Sequence, residues 1–187
     1  MKFAGVVRLF LVSTAVAVLA AGCGESGGTS STSSPTPSPS PSPTPTPAVH
    51  IAAVDACALV SAAAAATAFG GTFQSSGGSG ICTYSGSNGT TMVIFGEVLP
   101  DSSTADAVQP QQLAASFNGA YTISNSKALP GTGDKAIEYT ASSNGQTGTV
   151  IFIFKANVVL MMIVQPAPTD TTSFESLAKA AADGLHA

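Results

Sequence analysis

The chain has no tryptophan, two histidines and one arginine, and only 9% of its 187 residues are charged, against about 25% in an ordinary soluble protein. Each scarcity excludes a class of function. The arginine, Arg8, and Lys2 both lie in the first segment. From residue 23 onward four lysines (Lys127, Lys135, Lys155, Lys179) stand against ten acids, a formal net charge of −6. Nucleic-acid binding rests on clustered Lys and Arg that displace counterions, so no nucleic-acid partner is expected. The same lack argues against adhesion to anionic lipid headgroups through a basic patch. His50 lies at the tether junction and His186 is the penultimate residue. A Ser-His-Asp or Cys-His site needs an imidazole positioned inside a cleft, and histidines at the two ends of a domain suit that role poorly.

Charge and polarity are low, yet the first 23 residues are strongly patterned: MKFAGVVRLFLVSTAVAVLAAGC. Lys2 and Arg8 form a short positive n-region. Leu9 to Ala21 is an apolar run of signal-peptide length, too short for a comfortable membrane span. Ala20, Ala21 and Gly22 then lead into Cys23. This ending resembles the lipobox of bacterial lipoproteins, although Ala20 stands where Leu is commoner. The resemblance implies that residues 1–22 are removed as a signal peptide and that Cys23 is acylated at the new N-terminus. The alternative is an ordinary secretory leader cleaved after small residues, with Cys23 incidental.

Cysteine arithmetic favours acylation. With Cys23 lipidated, Cys57 and Cys82 remain, and an even pair in an exported chain suggests a disulfide. A metal or redox pair is the alternative, but neither cysteine has a Cys or His at ligand spacing and there is no C-x-x-C. Closing the loop between them is expected to stabilise the fold by about 3 kcal/mol on the chain-entropy view. Apart from Glu25, Gly24 to Pro47 is Gly, Ser and Thr, then Pro alternating strictly with Ser or Thr, and holds seven of the chain's 12 prolines. Such a stretch has no apolar side chains to bury. At about 3.1 Å per residue in polyproline II, roughly 25 residues reach about 75 Å. The expected organisation is therefore a signal peptide over 1–22, a lipidated cysteine and tether over 23–48, and one globular domain over 49–187, long enough to bury a core of its own.

Within the domain, Asp55 is placed to cap a helix over 56–69 that ends at Gly70-Gly71. A strand near 72–75, a Ser/Gly loop over 75–80, and strands over 81–85 and 91–98 follow, the last two joined at Ser87-Asn88-Gly89. A helix near 104–118, with a break or start at Pro110, faces Val108, Leu113 and Phe117 inward. A strand over 121–125 comes next. Asn144-Gly145 joins strands over 136–141 and 147–154, and a last strand covers 158–164. Because 151–154 and 158–164 are apolar at successive positions, these strands are expected to be covered on both faces. Thr172 and Glu175 read as a capping box opening a helix over 173–185. The expected fold class is α+β, an antiparallel sheet with helices packed on it, in the order α-β-β-β-α-β-β-β-α.

Three short motifs carry a further resemblance: Asp55-Ala56-Cys57 opening a helix, Cys82-Thr83-Tyr84 in an early strand, and Gly131-Thr132-Gly133-Asp134-Lys135-Ala136 before a hairpin. Together they resemble actinobacterial cell-envelope lipoproteins whose Cys-paired α+β domain is of unassigned function and is similar to extracellular sensor domains of mycobacterial receptor kinases. Tyr84 stands where that group often has Trp. The resemblance implies an extracytoplasmic, lipid-anchored location and a fold, but no activity.

No catalytic, cofactor or metal set emerges from the remaining residues. Glu97, Asp101, Asp106, Asp134 and Glu138 offer carboxylates for glycoside hydrolysis, but each also reads as a turn residue, a cap or a solvated strand position. Gly131 to Lys135 lacks phosphate-loop spacing and precedes a strand. Asp101, Asp134 and Asp170 are too scattered for a calcium loop. Asn88-Gly89-Thr90 matches a glycosylation sequon but also reads as a turn. Tyr84, Phe95, Tyr121, Tyr139, Met161 and Met162 are core candidates, or in part the lining of an uncharged groove between sheet and helix. The expected function is a non-catalytic binding or interaction module of the cell envelope, held to the membrane by N-terminal acyl chains, with an envelope protein or a small apolar ligand as partner. The competing expectations are an extracytoplasmic hydrolase, and a structural spacer or inhibitor of another envelope protein.

Overall fold

The computed structural model describes residues 49–117 and 121–186. The signal segment, Cys23 and the tether lie outside the described residues. The class is α+β, as the alternating patterns require. Seven antiparallel strands form one sheet: β1 (Phe73–Gly78), β2 (Ile81–Gly86), β3 (Thr91–Val98), β4 (Thr122–Ala128), β5 (Lys135–Ser143), β6 (Gln146–Lys155) and β7 (Val158–Gln165). Their spatial order is β1-β2-β3-β7-β6-β5-β4. Two meanders, β1 to β3 and β4 to β7, are thus joined edge to edge where β3 pairs with β7 from Thr91↔Gln165 to Val98↔Val158. The second half therefore holds the four strands expected over 121–125, 136–141, 147–154 and 158–164, one more than the expected order α-β-β-β-α-β-β-β-α counts.

The continuous apolar runs of β6 and β7 have the expected consequence. Alternate side chains point to opposite faces, and both faces are covered. Ile151, Ile153, Leu160 and Met162 face a core shared with α1 (Ala56–Leu59), α2 (Ala62–Phe69) and α5 (Thr172–Asp183). Phe152, Phe154, Met161 and Ile163 face a second core beneath α3 (Ser102–Asp106) and α4 (Pro110–Ser116). Met161, Met162, Tyr84 and Tyr139 are all core.

Several element boundaries differ from expectation, each for a local reason. The first helix is broken in two at Val60-Ser61. Val60 is extended (φ −134°, ψ 129°), and the Ser61 hydroxyl restarts the helix by accepting from the Ala64 N–H at 3.1 Å. The break presents the Val60 carbonyl to the hydroxyl of buried Tyr84, which donates to it at 2.5 Å. The Ser/Gly stretch after Phe73 is strand rather than loop: β1 pairs in full with β2, from Phe73↔Gly86 to Gly78↔Ile81. Backbone pairing outweighs the weak strand preference of Ser and Gly there. The middle helix is also two. Asp101 caps α3 by accepting from the Thr104 N–H at 2.7 Å, and Pro110 opens α4 as its first residue. β4 runs on past Asn125, which is left-handed (φ 53°) in a bulge between Ser124 and Lys127. The capping box of Thr172 and Glu175 does not form. Asp170 instead accepts from the Thr172 N–H at 2.9 Å, and Glu175 turns toward Lys127.

Cys57 and Cys82 form the expected disulfide, with Cα atoms 5.1 Å apart, tying α1 to β2. Next to it the segment from Ile51 to Val54 crosses the end of the sheet. Gly96 makes the crossing possible: a Cβ there would lie 2.8 Å from Val54 Cγ1 and 2.9 Å from Leu160 Cδ2. Asn144 and Gly145, both with positive φ (51° and 77°), make the tight turn that the hairpin sequence demands.

Candidate functional site

The second face of the sheet is not evenly covered. Helix α3 lies over β6 and β7 and α4 packs beside β4, while β2 and β3 lie toward the other edge of the sheet. On these two strands the pleat sends Cys82, Tyr84, Met92 and Ile94 into the first core. It sends Ile81, Thr83, Val93 and Phe95 to the other face, where they meet Leu113, Ser116 and Phe117 of the α4 region and Tyr121. These eight residues line a groove of about 440 Å³. Phe95 and Phe117 form its floor edge to face, ring centroids 5.3 Å apart. Ile81 forms one wall and is 42% exposed, one of two large hydrophobic side chains left open to solvent among the described residues. The lining carries no charge. Its polar groups are the hydroxyls of Thr83, Ser116 and Tyr121. Such a groove takes an apolar body and offers hydrogen bonds only at its rim.

A polar cluster lies elsewhere, where α5 begins over β4 and β5. Lys127 Nζ donates to Glu175 Oε1 at 2.6 Å, and the Thr171 hydroxyl donates to the same oxygen at 2.7 Å. Glu138 Oε2 on β5 is buried and has no hydrogen-bond partner among the described residues. Burial pushes the Glu138 carboxyl up, the nearby Lys127 charge opposes this, Glu175 adds to the rise, and the Thr171 hydroxyl works against it. The hydrogen bond from Lys127 holds the Glu175 carboxyl down, and the Thr171 hydroxyl helps. Of the two carboxyls, Glu138 is therefore the one held above its ordinary value and Glu175 the one held below.

The pair has one raised and one lowered carboxyl, as acid–base chemistry requires, but its spacing is wrong for glycoside hydrolysis. The two carboxyls are near enough to shift each other directly, whereas retaining and inverting enzymes keep their carboxyls about 5 Å or more apart to admit the sugar or water. The cleft beside it, lined by residues that include Thr132, Thr172, Glu175 and Lys179, takes in Glu175 but not Glu138.

The cluster makes stability depend on pH with opposite signs at its two members. Glu175, held below its ordinary value, contributes stability above the ordinary carboxylate range, about 4.3, and loses it as pH falls through its folded value. Glu138, held above, favours the fold at low pH, and that contribution is lost as pH rises through its folded value. At pH 7 Glu175→Gln is therefore expected to lower the urea midpoint and Glu138→Gln to raise it. Both differences shrink toward zero below about pH 4. A Glu138→Gln variant that is less stable than the parent at pH 7 contradicts this assignment.

The other sequence candidates are dispersed. His50 and His186 are exposed at the two ends of the described chain. Asp101 is the α3 cap, its carboxyl held low by the Ser103 hydroxyl and the Thr104 N–H. Asp134 accepts from the Ala156 N–H at 2.7 Å, and Gly131 to Lys135 is a turn feeding β5. Asp170 caps near α5. Glu97 is exposed on β3 and Asp106 ends α3. Asn88 closes the β2–β3 turn and its amide donates to the Phe69 carbonyl at 2.9 Å. Among the described residues no three His, Cys, Asp or Glu gather as a metal site, and no helix is long and apolar enough to cross a membrane. Of the aromatic candidates, Phe95 and Tyr121 reach the groove. Lys127 and Glu175 were not legible as partners: they are 48 positions apart, and no motif links them. No family model, no curated protein and no solved structure matches the chain.

Proposed function

We propose that this protein is a non-catalytic binding module of the cell envelope, anchored outside the cytoplasm by acyl chains on Cys23, which holds a small apolar ligand in the groove between β2–β3 and α4. The observation that carries the reading is the uncharged lining of Ile81, Val93, Phe95, Leu113, Phe117 and Tyr121, with Ile81 open to solvent. A concave, uncharged lining with a few hydroxyls at its rim is the usual form of a small-molecule site. The hydrolase reading has less support, because the two carboxyls that come together shift each other rather than face a shared cleft.

The chain has no tryptophan, so tyrosine emission reports on the site. Tyr84 and Tyr139 are buried and Tyr121 lines the groove. Titration with a long-chain fatty acid is expected to change the Tyr121 emission saturably. Ile81→Asp, at an exposed position and so with little effect on stability, is expected to weaken binding at least tenfold by placing a charge against the acyl chain. Equal titration curves for the parent and Ile81→Asp, or no saturable change in the parent, would remove the groove from the proposal.

A further inference from the structure

A second cavity lies at the end of the sheet opposite Ile51. There the β2–β3 turn, the β5–β6 turn and the end of β7 come together, and Gly89, Thr91, Gln146, Thr147, Gln165 and Pro166 enclose about 460 Å³. Like the groove it has no charged lining residue. Unlike the groove it is lined by amides and hydroxyls.

Its centre is Gln165. The last residue of β7 pairs across β3 with Thr91, and on its other side it lies beside Gly148 of β6. Gly148 is small for a reason that concerns Gln165. A Cβ at 148 would stand 2.6 Å from Gln165 Cγ and 2.6 Å from the Val164 carbonyl oxygen. The missing side chain lets the Gln165 stem lie flat on β6 and sets the position of its amide. That amide nitrogen is buried and has no hydrogen-bond acceptor among the described residues. Leaving a buried amide donor unsatisfied costs about 1–3 kcal/mol, so such a group at the wall of a polar cavity is a place where an acceptor from outside is favoured. The Gln146 amide and the Thr91 hydroxyl supply both donors and acceptors around it.

We infer that this cavity is a second binding site, for a neutral ligand that presents an amide carbonyl to Gln165 Nε2. A carboxylate or phosphate finds no cation in the lining to pair with, and an acyl chain would leave the amide donor as unsatisfied as before. The chemistry is shared by an N-acetylated sugar and by an uncharged peptide amide. In either case the carbonyl accepts from Gln165, and adjacent hydroxyl or N–H groups meet Gln146 and Thr91.

The test is an NMR titration of the isotopically labelled protein, following the Gln165 side-chain amide. Three probes are used: N-acetylglucosamine, N-acetyl-alanine methylamide, and glucose, which has hydroxyls but no amide. The Gln165 resonance is expected to shift saturably with one or both amide probes, and not with glucose. A response to the sugar alone identifies an acetamido sugar as the source, and a response to the peptide analogue alone identifies a peptide amide. Gln165→Leu, which keeps the volume and removes the donor, is expected to abolish the response of the neighbouring backbone amides. Thr91→Val, at an exposed strand position, is expected to weaken it severalfold and serves if the first variant does not fold. No saturable shift with either amide probe through the millimolar range, an equal shift with glucose, or undiminished binding in both variants overturns the inference. Occupancy of the groove by a fatty acid is independent of all three outcomes.

Discussion

Replacing Asn157 by Ala is expected to destabilise the domain by about 3–5 kcal/mol, from three hydrogen-bonded groups at about 1–3 kcal/mol each with partial relief by water. Asn157 is 1% exposed in the short turn between β6 and β7. Its side-chain oxygen accepts from the Ile51 N–H at 2.7 Å. Its amide nitrogen donates to the Ile51 carbonyl at 3.0 Å and to the Leu99 carbonyl at 2.8 Å. One side chain thus satisfies both backbone groups of the residue where the chain enters the fold, and pins it to the segment leaving β3. Total stability is typically about 5–15 kcal/mol, so this loss should move the urea midpoint far, with little change in slope. The Ile51 amide should also lose protection against hydrogen exchange. Asn157→Asp keeps the acceptor but sets a carboxylate against two carbonyls. It is expected to cost at least as much at pH 7 and to recover on acidification, as a protonated carboxyl can again donate. A change below about 1 kcal/mol for Asn157→Ala, the usual effect of a surface substitution, would show that water replaces the side chain and that the junction is not held there.

Asn157 also shows where the sequence stops being legible. Lys155-Ala156-Asn157 reads as a connector because two apolar runs flank it, and the strands it joins are where they are expected. The role of the side chain is invisible because its partner Ile51 lies 106 positions away. The same division runs through the molecule. Period-two and continuous apolar runs locate β3, β5, β6 and β7 and place both faces of β6 and β7 indoors, because burial is decided by local pattern. The Ser/Gly half of β1 is missed because its stability comes from its register with β2 and not from its own residues. The breaks at Val60-Ser61 and after Asp106 are single-residue decisions, the first made by the need to present a carbonyl to Tyr84. For the groove, Phe95 and Tyr121 were legible as candidates, but whether they were core or lining depended on how far α4 reaches across the sheet, and no residue encodes that alone. Glu138 with Glu175, and Gln165 over Gly148, are products of topology.

The anchoring proposal makes the other large prediction. If Cys23 carries acyl groups, each buried CH₂ adds about 0.8 kcal/mol, so two long chains contribute on the order of 20 kcal/mol toward the bilayer. The native protein is then expected to partition wholly into the detergent phase and to have the mass of a chain that starts at Cys23 and bears lipid. Replacing residues 1–23 by an ordinary secretory leader should send the same domain wholly into the aqueous phase with unchanged stability. The domain itself offers little to compensate, since from residue 23 onward there are four lysines and no arginine to hold it on anionic headgroups. A native protein found in the aqueous phase, or with residues 1–22 intact, would refute the anchor. The described chain enters at Ile51, at the end of the sheet where β6 turns into β7. The cavity of Gln165 lies at the other end, a distance set by the ten residues of β6 at about 3.3 Å each.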